Sequence, residues 1–231
     1  MSTYAVILAA GVGTRMGADV PKQFVRIGGR AIIDYSLSAF SHADEIDEII
    51  VVVGPSHRQT VAVLVEAGSY TKVSALVDGG VTRFESTACA LQHLRDRDGF
   101  VLVHDAARPF LPQATIAGCV TALASYDAVA TVVDSPDTIV QLDDARTAIS
   151  STLDRDGLKR LQTPQGFRLA TLRTAVERAA ADPDLRSTDD FTLVQRYVAE
   201  ASTTFIEGDS RTFKITRPED LVVAEAFAAQ G

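Results

Sequence analysis

The sequence predicts an α/β fold, a Rossmann-like and mostly parallel sheet covered by helices on both faces, with an inserted β-hairpin arm. Three observations carry this. Short apolar runs alternate with segments of helical pattern along most of the chain, the rhythm of βαβ units. The runs are apolar at successive positions, as strands buried on both faces are. Between about residues 134 and 160 that rhythm breaks, and two short β-like pieces flank a polar turn.

Taken in order, the first strand is expected at Tyr4–Leu8, followed by a helix over Ala31–Phe40. The β-branched run Ile49–Val53 reads as the second strand, with a helix at His57–Ala67. Lys72–Val77 and Arg83–Leu94 form the next strand and helix, then Phe100–His104 and Ala114–Ser125. Ala128–Val133 is a further strand. The arm follows, its strands at Asp137–Gln141 and Thr147–Leu153 about the turn Asp143-Asp144-Ala145-Arg146. A hairpin alone is marginally stable, so it needs a surface to pack on; a dimerisation arm is the sharper expectation and a solvent-exposed excursion the plainer one. Helices return at Leu169–Ala181 and Phe191–Ala199, a strand at Thr203–Ile206, and a closing helix from Pro218 to Ala229. Thr216 and Glu219 have capping-box spacing there, and Pro218 fits a first turn where its missing N–H costs little.

Composition limits the function. With 22 Lys and Arg against 30 Asp and Glu, the 231 residues carry a net charge of −8. That balance opposes a general nucleic-acid binder, which needs a broad basic surface. A 46% hydrophobic share opposes disorder. No apolar run reaches the roughly 20 residues of a membrane span, and Tyr4–Ala10 lacks the basic flank of a signal peptide. Cys89 and Cys119 form neither a disulfide framework nor a zinc motif. A cytoplasmic chain forming one domain over 1–231 is the expectation.

Three loops can carry chemistry, because open α/β sheets bind ligands beyond the carboxyl ends of their strands. The first is Ala9-Ala10-Gly11-Val12-Gly13-Thr14-Arg15-Met16-Gly17. Glycines there let backbone N–H groups approach phosphates. Met16 stands where a dinucleotide fingerprint needs its third glycine, which disfavours a dehydrogenase, and the Gly-Lys-Ser/Thr end of a Walker loop is absent. Pro21 breaks a helix after the glycines, so Arg15 and Lys22 can close on an anion from two sides. The second loop, Val103-His104-Asp105-Ala106-Ala107-Arg108-Pro109, ends a strand on a carboxylate placed for Mg²⁺. His104 reads as a satisfied core histidine. Gly79-Gly80-Val81-Thr82-Arg83-Phe84-Glu85-Ser86 is the third, with a hydroxyl at Ser86.

Together with further segments, these loops give the sequence a resemblance. L-A-A-G-V-G-T-R-M (8–16), P-K-Q-F (21–24), G-G-V-T-R-F-E-S (79–86), V-H-D-A-A-R-P (103–109), D-T-I (137–139), L-D-R-D-G-L (153–158), T-P-Q-G-F (163–167), T-D-D (188–190) and K-I-T-R-P-E-D-L (214–221) occur in order over nearly the whole chain. The chain resembles the 2-C-methyl-D-erythritol 4-phosphate cytidylyltransferases. The resemblance implies that CTP and methylerythritol phosphate give the CDP-linked product and pyrophosphate, with Mg²⁺ as cofactor, in the non-mevalonate route to isoprenoids.

It also implies roles. Ala9, Ala10, Gly11 and Gly13 would wrap the nucleotide, with Gly80 and Ser86 near the cytosine. Arg15 and Lys22 would stabilise the α-phosphate, and Lys214 would position the phosphates. Asp105 would organise Mg²⁺ and substrate, with Ala106 and Arg108 beside it. Thr138 and Arg155, on the arm, would reach the sugar-phosphate site of the partner subunit in a homodimer; Thr163 and Thr188 are further substrate contacts. The family often has Asn two residues before the late lysine, where this chain has Thr212 after Arg211. A ribitol 5-phosphate cytidylyltransferase of the same fold is the near rival. A non-catalytic nucleotide-binding regulator is the rival from another class, opposed by the joint presence of Arg15, Lys22, Asp105 and Lys214.

Overall fold

The structure, a computed structural model, describes residues 1–11, 21–185 and 187–230. The chain opens with β1 (Thr3–Ala9), β2 (Arg26–Ile27), β3 (Arg30–Ala31), α1 (Ile32–Ser41), β4 (Glu48–Val53), α2 (Arg58–Ala67) and β5 (Val73–Asp78). It continues through α3 (Arg83–His93), β6 (Phe100–Asp105), α4 (Gln113–Leu123) and β7 (Ala128–Asp134). The remainder is β8 (Val140–Leu142), β9 (Ile149–Thr152), β10 (Lys159–Arg168), α5 (Leu169–Ala180), α6 (Asp190–Tyr197), β11 (Thr203–Glu207) and α7 (Pro218–Ala228). Each expected strand and helix is present, its ends moved by one or two residues, save that β8 starts three residues late.

Seven strands form one sheet in the order β11-β7-β10-β6-β1-β4-β5. All neighbours are parallel except β10, which runs against both β6 and β7. Apolar side chains on one face pack with α3, α5 and α6, and those on the other with α1, α2 and α4. A satellite cluster of Ile27, Ile32, Ile215 and Ala224 joins α7 to the β2–β3 hairpin.

The sequence reading has no strand at β10, a central element. Pro164 and Gly166 lie within it, and both residues ordinarily weaken a strand. The structure accommodates each. Pairing with β7 shifts register between Gln162 and Gly166, so Pro164 falls in the irregularity, where no N–H is demanded. At Gly166 a Cβ would lie 2.7 Å from Val129 and 3.0 Å from Leu123, so glycine lets α4 approach the sheet.

The arm spans the gap between β7 and β10 as expected, with β8 and β9 paired antiparallel. Its turn is fixed by Asp143, whose carboxylate accepts from the N–H groups of Thr147 (2.8 Å) and Ala148 (3.2 Å). Val140, Leu142, Ile149 and Leu153 are exposed on it. The capping of α7 differs from expectation. Asp220, rather than Glu219, accepts from the N–H groups of Thr216 (2.7 Å) and Arg217 (2.8 Å) and from the Thr216 hydroxyl (2.9 Å). Among the described residues no helix is long and apolar enough to cross a membrane.

Candidate active site

The carboxyl ends of β1 and β6, the start of α3 and the segment before α7 enclose a cavity of about 470 Å³. Ala9, Ala10, Gly11, Lys22, Gly80, Ser86, Asp105, Ala106 and Lys214, all expected at the site, line it. The walls are built by close backbone approach. A Cβ on Gly79 would sit 2.4 Å from that of Ala10, and one on Gly80 2.2 Å from that of Glu85. The following helix is held by a capping box, Thr82 Oγ1 accepting from Glu85 N–H (3.1 Å) and Glu85 Oε2 from Thr82 N–H (2.9 Å). Buried Gln23 ties the first loop down, donating to the carbonyls of Ala9 (2.7 Å) and Gly11 (3.0 Å).

A second cavity, about 330 Å³, adjoins the first through Arg83, Asp105 and Lys214, which line both. Arg108, Thr163 and Thr188 line this one, with Gln165 and Asp189. Thr138 and Arg155 do not reach either cavity of their own chain and are exposed on the arm. Gly13 and Arg15 lie outside the described residues.

Asp105 is the centre of the junction. Its Oδ1 accepts from Arg83 Nε at 3.1 Å and its Oδ2 from Lys214 Nζ at 2.7 Å, with Arg108 Nε 4.0 Å away. Burial alone would raise its pKa, but these three cations outweigh burial and hold the carboxyl far below the usual carboxylate range. Its N–H donates to Thr163 Oγ1 at 3.1 Å. That hydroxyl also meets His104 Nδ1 at 3.0 Å, while His104 Nε2 meets the Arg108 carbonyl at 3.1 Å. Burial pushes His104 down to about 4, so it stands neutral at pH 7, a core histidine as expected.

The segment carrying Lys214 is stitched to the other two loops. Ile215 N–H donates to the Ala107 carbonyl (2.9 Å), and Lys22 Nζ donates to the Ile215 carbonyl (3.2 Å). Thr212 takes over the anchoring at the position where the family often has Asn. It is buried, its hydroxyl donates to the Phe110 carbonyl (2.8 Å), and its own carbonyl accepts from Arg108 Nη1 (2.9 Å). Arg211 turns away to Asp209.

Sequence reasoning assigned no role to Arg83, Gln23, Gln165 or Asp190, although each lies in a quoted motif. Arg83 spans two carboxylates, since Nη1 also donates to Asp190 at 2.7 Å. Burial works against its charge, yet Asp190 and Asp105 raise its pKa above the ordinary value. The available signal was an arginine at the first position of a helix that closely follows two glycines.

Comparison with known proteins gives the family. A family model described as IspD: 2-C-methyl-D-erythritol 4-phosphate cytidylyltransferase matches residues 3–230. A Thermobifida fusca protein named 2-C-methyl-D-erythritol 4-phosphate cytidylyltransferase is 43% identical, across 98% of this chain and 93% of its own. The crystal structure of 4-diphosphocytidyl-2C-methyl-D-erythritol synthase from Anaerococcus prevotii aligns with a TM-score of 0.87 at 29% identity, covering 99% of this chain and 98% of that one. A Haemophilus influenzae bifunctional ribulose 5-phosphate reductase/CDP-ribitol pyrophosphorylase is 33% identical over 95% of this chain, which spans 47% of that protein. The chain belongs to the 2-C-methyl-D-erythritol 4-phosphate cytidylyltransferase family and is a nucleotidyltransferase of the non-mevalonate isoprenoid pathway.

Proposed function

We propose that CTP occupies the cavity bounded by Ala9, Ala10, Gly11, Gly80 and Ser86, and that methylerythritol phosphate enters from the cavity bounded by Arg108, Thr163 and Thr188. The observation that carries this reading is the shared wall: Arg83, Asp105 and Lys214 belong to both cavities, so two phosphate-bearing substrates meet there. The enzyme joins CTP and methylerythritol phosphate to give 4-diphosphocytidyl-2-C-methyl-D-erythritol and pyrophosphate. An oxygen of the acceptor phosphate attacks the α-phosphorus in line, the new P–O bond forms, and the bond to the bridging α–β oxygen breaks. Pyrophosphate carries that electron pair away.

Such transfers need placement and charge neutralisation more than covalent work from the protein. Lys22 and Arg15 neutralise the α-phosphate, and Lys214 aligns the phosphates. Asp105 suits a magnesium ion. It is an ionised oxygen donor, and this hard cation is held through one or two carboxylates plus substrate phosphates rather than a protein cage. Among the described residues no group of three or more His, Cys, Asp or Glu could hold a metal. Bound there, Mg²⁺ would neutralise charge on the phosphates.

The active form is a homodimer in which the arm carries Thr138 and Arg155 to the partner's sugar-phosphate site. The exposed apolar side chains of the arm support this reading. The chain works as one catalytic domain in the cytoplasm.

Pyrophosphate release with Mg²⁺ and CTP, comparing methylerythritol phosphate with ribitol 5-phosphate and CTP with ATP, GTP and UTP, tests the substrates. Release confined to CTP with methylerythritol phosphate is expected. Preference for ribitol 5-phosphate would favour the reading that the Haemophilus relative suggests. Mixing Arg15→Ala with Arg155→Ala chains tests the shared site, because one of the two sites in a mixed dimer is intact. Regained turnover is expected; none, despite demonstrated heterodimers, would refute the shared site.

A further inference from the structure

We propose that Arg83 and Asp190 act as a positioning pair, fixing the Asp105 carboxylate at the junction of the two cavities so that it serves the transfer step rather than CTP capture. This rests on the assignment of Asp105 to the reacting phosphates. The geometry runs inward from the sheet. Gln165, buried on β10, accepts through Oε1 from the N–H groups of Asp190 (3.2 Å) and Phe191 (3.0 Å), plugging the start of α6. Asp189 caps the same helix, accepting from Thr192 N–H at 2.9 Å. Asp190 is thereby set, wholly buried, against Arg83 Nη1 at 2.7 Å. The guanidinium fork leaves Nε aimed at Asp105 Oδ1, 3.1 Å away.

Planarity is the reason for arginine here. One rigid fork meets two carboxylates on different elements, which a single ammonium on a flexible stem cannot do in fixed geometry. Lys214, a third exposed, can move with substrate, whereas Arg83 is tied from behind. Asp105 therefore keeps one fixed partner and one adjustable one.

The test compares Arg83→Lys, Asp190→Asn and their double variant with Asp105→Asn as reference. Turnover and KM are measured for each substrate, while calorimetry with CTP counts binding-competent sites. Partners that orient a functional ligand typically change activity by about 10–100-fold. Each single variant is expected to lose kcat by that factor per competent site, with CTP affinity within about threefold. Because the pair acts as a unit, the double variant is expected to be no worse than the poorer single one. Should Asp190→Asn fail to fold, Arg83→Lys alone decides. Unchanged kcat in Arg83→Lys would overturn the proposal, as would losses that multiply in the double variant or that appear only as weaker CTP binding. If Asp105→Asn itself turns over normally, the role of Asp105 is refuted and the pair has nothing to position.

Discussion

The two cavities are walled differently. In the cavity proposed for CTP, the surface is mostly backbone and small side chains, set by glycines that admit neighbouring atoms closer than a Cβ would allow. In the cavity proposed for the acceptor, Arg108, Gln162, Thr163, Gln165 and Asp189 form a wall of polar side chains, most of them on β10 or at the start of α6. A backbone wall reads shape and offers N–H groups at fixed positions, and one substitution at a glycine spoils it. A side-chain wall can be retuned residue by residue. The first design suits a triphosphate common to many enzymes, the second an acceptor that differs from one relative to the next.

The contrast can be broken at the residue both walls share. Asp105→Asn is expected to lower kcat by about 10²–10³, near 3–4 kcal/mol of barrier, with CTP binding retained in calorimetry. Equal loss of CTP binding would make Asp105 part of the nucleotide wall alone.

Behind the acceptor wall, Cys119 of α4 packs on β7, its sulfur 3.6 Å from Thr131 Oγ1, and burial pushes the thiol from 9.0 up to about 12. The fold favours the neutral thiol, so its contribution is intact below pH 9 and shrinks as pH rises toward the folded value. At about pH 10.5 the advantage of wild type over Cys119→Ala in urea unfolding should be smaller than at pH 8 by about 2 kcal/mol. An advantage independent of pH would refute this.

On the nucleotide wall, Gly80→Ala forces a methyl group against Glu85. It is expected to raise the KM for CTP about tenfold, or 1.4 kcal/mol, and to leave that for methylerythritol phosphate nearly unchanged. A matched rise in both would mean that the walls are coupled. Loss of the α3 cap in Thr82→Ala should be the smallest effect, about 1 kcal/mol of stability in urea unfolding.

The parallel half of the molecule was legible because burial on both faces leaves uninterrupted runs such as Ile49–Val53, and the loops after β1, β5 and β6 sit where such sheets bind ligands. Nearly all of the nucleotide wall follows from that rule. The antiparallel β10 was not legible. Gln162, Thr163, Pro164, Gln165 and Gly166 combine polar residues with proline and glycine, which ordinarily weaken a strand, and their burial is stabilised by partners far away in sequence. Arg83 and Asp190 were hidden for a related reason. A charged residue looks solvated until its counter-charge, 107 positions along the chain, is seen beside it. The arm was visible as a break in rhythm, and its turn as a run of polar residues.

The stitching of Lys22 to Ile215 also sets an order of events during synthesis. That hydrogen bond closes a separation of 193 residues, and the Lys214–Asp105 pair one of 109. Contacts between such distant positions form late, because a long loop must close before they stabilise anything. A chain growing from its N-terminus can pair β1, β4, β5 and β6 while residues 214–216 are still inside the ribosome. The triphosphate cavity therefore has its floor before it has its last cation. On the proposed roles, catalytic competence arrives with residues 214–216, which follow the last strand of the sheet, so a chain released short of them would carry the sheet and no complete site.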